Sequence, residues 1–269
     1  MTDLAFTPDD LDALRKAHAL LENPGLAVRL TNLIGTPVEK LMNRLPESWN
    51  AQLGQVTRLA LSKAADAALF TLNDQPRNES SNRWHKIGAA ATGGVGGFFG
   101  LAGLAVELPI STTLMMRSIA DIARSEGESL ADPGTRIACL EVFALGGKSA
   151  DDDGAESGYY IVRTALARAV SQAAEYAAGQ VAVEKAAPPA LMHLITLVAK
   201  RFGLQISEKA AAQAVPALGA AGGAIINTLF IDHFQDMARG HFIIRRLDRR
   251  YGEEAVQAAY EALGRRHAD

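Results

Sequence analysis

The stretch Ile87–Val106, IGAAATGGVGGFFGLAGLAV, carries no charge and is packed with glycine, and Ala210–Ile231, AAAQAVPALGAAGGAIINTLFI, repeats the habit. Each runs into an amphipathic helix with one signature, Asp121-Ile122-Ala123-Arg124 after the first and Asp236-Met237-Ala238-Arg239 after the second. Gly93 with Gly97 and Gly96 with Gly100 form small-xxx-small pairs that let helices approach closely. In water so many glycines weaken an isolated helix by up to ~1 kcal/mol each relative to alanine, so something must press on the segment. A neighbouring helix in a compact core would do so, and so would a bilayer, which about 20 residues can span. The segment suits either surrounding.

The rest of the chain reads as helix throughout. Thr7-Pro8-Asp9-Asp10 is a helix start, with Thr7 as N-cap, proline in the first turn and acids where the helix dipole favours them. Leu11, Leu14, His18 and Leu21 form its stripe, and Asn23-Pro24-Gly25 stops it. A short second helix ends near Gly35. Thr36-Pro37-Val38-Glu39 offers a capping box for a third, which Pro46 closes. A longer helix runs from Trp49 to about Leu72, and the polar run 73–82 is the best candidate linker.

Past the first apolar stretch, Pro109 opens a helix through Arg124. The breaks at Gly127 and Asp132-Pro133-Gly134 precede a short helix, Thr135–Leu145, and 146–158 is an acidic, glycine-rich loop. Helices follow over Tyr159–Lys185 and Ala190–Phe202, the latter with Gly203 as C-cap and Ser207 capping the approach to the second apolar stretch. Gly252 precedes a terminal helix, Glu253–Arg265. No run alternates with period two for long enough to make a strand. The class is therefore all-α, a multi-helix bundle around two glycine-rich apolar helices that form a possible pseudo-repeat. Residues 1–82 form an N-terminal helical region and 83–269 the core, within one compact domain overall.

Composition narrows function mainly by exclusion. A net charge of −3 leaves no general excess of cations for a nucleic-acid backbone. The single cysteine, Cys139, excludes an intramolecular disulfide and a multi-cysteine metal site. The N-terminus lacks a basic segment leading into an apolar run, and the expectation is a place on the cytoplasmic side. Gly146-Gly147-Lys148-Ser149 lacks the first glycine and the strand of a phosphate-binding loop, and the glycines at 94 and 96 begin a dinucleotide fingerprint that fails at Phe99. No G-x-S-x-G or H-E-x-x-H occurs.

Two constellations remain. Glu107, an acid amid apolar residues, needs a partner if buried, and Arg117 or a residue of the second half could supply it. Together with Asp121, Asp232, His233, Asp236 and Arg239 they form a candidate polar cluster. His233 and Asp236, three apart, read first as ion-pair residues that fix helix register, and are also candidate metal ligands or an acid/base pair. The second constellation is a candidate contact with lipid or another anion. It combines Trp84 and Lys86, an arrangement common at membrane interfaces, with Arg245, Arg246, Arg249 and Arg250.

The blocks Gly93-Gly94 through Gly100, Glu107-Leu108-Pro109, Arg117–Arg124, Leu140–Gly147 and Gly222 through Phe242 resemble the EcsC protein family, over roughly Leu21 to Gly252. The resemblance implies a bacterial origin and, because the founding member is encoded beside an ABC transporter, a place at the inner membrane or with a membrane protein. It implies no agreed activity, catalytic residue or cofactor. Some members bear a peptidase label, for which this sequence holds no motif. The expectation is an accessory protein, cytoplasmic and peripheral to the inner membrane, that associates with the membrane or binds a lipid or other apolar ligand. The alternative is a metal-assisted hydrolase using the His/carboxylate cluster.

Overall fold

The computed structural model describes residues 6–22, 25–71, 106–147, 158–179, 189–215 and 219–265. These residues form helices and no strand. The helices are α1 (Pro8–Leu21), α2 (Leu26–Ile34), α3 (Val38–Met42), α4 (Glu47–Thr71), α5 (106–125), α6 (Pro133–Glu141), α7 (Gly158–Gly179), α8 (Pro189–Gln213), α9 (Gly219–Tyr251) and α10 (Glu253–Arg265). A single 3₁₀ turn, Val142–Ala144, follows α6.

Helix α9 is the longest of the described helices. Its 33 residues extend about 50 Å. From Ile226 to Leu247 it buries residues on nearly every side, including Phe230, Phe234, Ala238, Phe242 and Ile244, as a helix enclosed by other helices must. Helix α1 packs against α9 and α10, α4 against α8, and α7 against α6 and α8. The N-terminal helices thus share the core with the later ones. At the crossing of α1 and α9 a Cβ on Gly240 would come within 2.5 Å of Leu21 Cγ, so only glycine permits this approach. Phe143, Phe202, Phe230 and Phe234 form an aromatic centre, with ring centroids 5.0 Å apart for Phe143–Phe202 and 5.1 Å for Phe230–Phe234.

Local chemistry sets several boundaries. The Thr7 hydroxyl accepts from the Asp10 amide at 3.3 Å and caps α1. Gly252, at φ 86°, ends α9 and turns the chain into α10. Elsewhere the structure corrects the sequence reading. Thr36 makes no capping box, because α3 begins at Val38 with Pro37 at the N-cap and no side-chain cap; the Val38 amide donates to Thr31 Oγ1 at 3.1 Å, in the preceding helix. Asp132 accepts from the amides of Gly134 and Thr135, so α6 starts at Pro133 and not at Thr135.

Gly203 is not a C-cap. Helix α8 runs through it to Gln213, and the Ser207 hydroxyl bonds back to the Gly203 carbonyl at 2.9 Å. Phe202, Gln205, Ile206 and Lys209 are all buried on either side, and their packing outweighs the ~1 kcal/mol that a mid-helix glycine costs relative to alanine. The second apolar stretch is not one helix, since Ala210–Gln213 closes α8 and Gly219 opens α9. The first stretch lies outside the described residues except for Val106. Both Asp-x-Ala-Arg blocks form the same (i, i+3) ion pair, Arg124 with Asp121 and Arg239 with Asp236.

Candidate functional site

Where α5, α8 and α9 meet, three buried polar side chains converge. Lys209 Nζ lies 2.9 Å from each carboxylate oxygen of Glu107 and 2.8 Å from Asn227 Oδ1, and 4.8 Å from the centre of the Phe230 ring. An ammonium has three N–H donors and no acceptor. All of them are engaged, and the Lys209 side chain is 0% exposed. The partner anticipated for Glu107 in the second half of the chain is therefore Lys209, and Arg117 is exposed on α5.

The remaining residues of the candidate polar cluster reach different partners. Asp236 pairs with Arg29 of α2 at 3.1 Å and with Arg239 at 3.3 Å. Asp121 pairs with Arg124. Asp232 is half-buried on α9. His233 Nε2 lies 3.4 Å from Gln205 Nε2, whose amide also donates to the Leu145 carbonyl at 2.8 Å. Burial, with the Arg29 charge adding to it, lowers the His233 pKa to about 3, so the ring is neutral. Gly146, at φ 73°, lies against this imidazole, where a Cβ would meet His233 Cε1 at 2.5 Å and Met237 Sδ at 2.6 Å. Among the described residues no group of three or more His, Cys, Asp or Glu side chains could hold a metal ion. Cys139 is buried, and burial pushes its thiol up to about 12, far from thiolate reactivity.

The arginine run is occupied inside the molecule. Asp10 accepts from Arg246 at 3.2 Å, Arg250 at 2.8 Å and the Tyr251 hydroxyl at 2.7 Å. The Tyr251 hydrogen bond, with Thr7 and the two arginines, holds its carboxyl below the usual range. Glu128 accepts from Arg245 at 3.0 Å and from Arg249, and Glu126 accepts from Arg246 at 3.1 Å. These arginines bind the end of α9 to the start of α1 and to the turn after α5. Arg249 and Arg250 keep about half of their side-chain surface exposed. Trp84 and Lys86 lie outside the described residues.

A further buried chain of groups escaped the sequence reading. The Tyr159 hydroxyl lies 3.0 Å from His241 Nδ1, and His241 Nε2 lies 3.8 Å from Glu141 Oε2. Burial pushes Glu141 up to about 7 and His241 well below its ordinary value, so both favour the neutral form. Tyr260 donates to Glu22 at 2.9 Å alongside. These polar groups join α6, α7, α9 and α10 in the interior. One signal was available for Lys209: each apolar stretch is bounded by a lysine before it and an acid after it, Lys86 and Glu107 around the first and Lys209 and Asp232 around the second. Nothing comparable marked Glu141 and His241.

Large aliphatic side chains stand in solvent at the end of the molecule near the Lys209 cluster. Val106 is 68% exposed and Ile110, one turn on, 47%; on α9 Ile225 is 48% exposed. Because Glu107 and Asn227 hold the same ammonium, the start of α5 and the early turns of α9 lie at one end.

The EcsC protein family matches residues 10–247 of the chain. Among curated proteins and solved structures no match is found.

Proposed function

We propose that this chain, which belongs to the EcsC protein family, acts as a binding protein at the inner membrane surface, touching the bilayer or a protein embedded in it, such as an ABC transporter. The observation that supports this reading is the exposure of Val106, Ile110 and Ile225 at one end, with Val106 closing the glycine-rich apolar stretch of the sequence. Residues Val106 and Ile110, on one face of α5, are followed along the same helix by exposed Arg117, an order suited to an apolar tip entering a headgroup layer with a cation at its rim. Among the described residues no helix is long and apolar enough to cross a membrane. Each half-exposed aliphatic contributes about 1 kcal/mol when buried, which makes the contact weak and reversible.

The arginine run plays little part in this reading. Its side chains already hold Asp10, Glu126 and Glu128, and Arg250 lies 25 residues along α9 from Ile225, about 37 Å away. The test is flotation of the full-length protein with neutral and anionic vesicles at low and high salt. Binding is expected to persist in high salt, to fall in Val106→Asp/Ile110→Asp and to survive Arg249→Ala/Arg250→Ala. Failure of the unaltered protein to float, or loss of binding in salt alone, would refute direct contact with the bilayer and leave only a membrane protein as the surface bound.

A further inference from the structure

Gly54 on α4 and Gly203 on α8 sit inside helices, where glycine is unfavourable. Neither serves as a cap, and neither permits a close helix contact, because a Cβ on either would meet nothing within 4 Å. Both line one cavity of about 520 Å³ between α3, α4 and α8, within the ~300–1,000 Å³ range of small-molecule sites. What the two glycines do is leave that volume open.

The lining divides by chemistry. Met42, Leu45, Leu53 and Leu204 provide apolar surface, and Leu204 is 43% exposed. Arg58 of α4 and Lys200 of α8 supply two cations from two walls, and they are the charged side chains among the described lining residues. The hydroxyls of Thr196 and Ser207 are spent on the carbonyls of Met192 and Gly203 in their own helix. Arg58 and Lys200 are exposed, and as cations they suit an acidic group, with the guanidinium able to grip a carboxylate through two N–H donors.

We propose that the groove between α3, α4 and α8 binds a single-chain anionic amphiphile, a long-chain carboxylate whose acyl chain lies on Met42, Leu45, Leu53 and Leu204 and whose head is held by Arg58 and Lys200. The ligand chemistry follows from an apolar floor open to solvent with Arg58 and Lys200 as the charged side chains among its described lining residues. This site is separate from the aliphatic end assigned to membrane contact, and it stands whether or not that contact exists.

The test uses the full-length protein and oleate below its micellar concentration, followed by titration calorimetry, with oleyl alcohol and inorganic phosphate as further probes. Oleate is expected to bind one per chain, oleyl alcohol at least tenfold more weakly, and phosphate not at all. Gly203→Leu points a side chain into the open space, with its Cβ meeting nothing within 4 Å, and is expected to weaken oleate at least tenfold. The exposed pair Arg58→Ala/Lys200→Ala is expected to do the same with the melting temperature unchanged. No oleate binding, equal binding of oleyl alcohol or phosphate, or unchanged affinity in both variants would overturn the assignment. The measurement contains no vesicles, and Val106→Asp/Ile110→Asp is expected to bind oleate normally, so failure here is distinct from failure of the membrane reading.

Discussion

Replacing Lys209 by methionine removes the ammonium while keeping a chain of similar length, and leaves the Glu107 carboxylate buried without its counter-ion. With oxygens 2.9 Å from Nζ and an effective dielectric of about 20, the attraction lost is about 6 kcal/mol. In the intact protein this attraction largely offsets the cost of taking two charges out of water, so the pair as a whole adds little net stability. Removing one member strands the other. The expected loss is about 3–5 kcal/mol, a large part of the ~5–15 kcal/mol that holds a typical domain together. Lys209→Met with Glu107→Leu removes both charges and is expected to recover most of that loss. Urea unfolding followed by far-ultraviolet circular dichroism measures each, with the midpoint shifting and the slope unchanged. A single variant within 1 kcal/mol of the parent, or a double variant at the sum of its two singles, would refute the view that these charges are buried partners.

Gly146→Ala is expected to cost at least 2 kcal/mol in urea unfolding, because its Cβ would strike His233 and Met237 at positive φ. Gly35→Ala shares the φ of 73° but meets nothing within 4 Å, so it should cost about 1 kcal/mol; equal losses would show that sterics at Gly146 are irrelevant. For His233, with a folded pKa of about 3 against an ordinary 6.5, the unfolded chain binds the extra proton between those values. Its contribution is therefore present above pH 6.5 and lost as pH falls, by about 1.4 kcal/mol per unit. Relative to His233→Gln, a comparison that cancels the opposite proton uptake of Glu141, the parent should lose about 2 kcal/mol between pH 6.5 and pH 5; parallel pH profiles would refute this.

How far the fold could be read in advance depends on the range of the interaction involved. Thr7 ahead of Pro8 and Gly252 between α9 and α10 act within one turn, and both ends were readable. Asp132 ahead of Pro133 uses the same chemistry as Thr7, but the adjoining Pro-Gly looked like a break. Gly203 misled for the opposite reason, since a glycine can end a helix but need not when buried residues on both sides pull the helix onward. The metal-site expectation grouped Glu107, Asp121, His233 and Asp236 by residue type and helical spacing. Spacing could not disclose that Lys209, Arg124, Gln205 and Arg29 hold them apart.

The amino-acid sequence by itself determined the all-helical class, the caps and breaks built from neighbouring residues, and the requirement that a buried Glu107 find a partner. Those depend on backbone hydrogen bonding and on side chains within four residues, which any chain with this order must satisfy locally. Only the tertiary structure decided that the partner is Lys209, 102 positions away, that the arginines of α9 face Asp10 and Glu128, and that Gly54 and Gly203 border one groove. Such pairings follow from how three or more helices cross, and a crossing is set by the packing of the whole core.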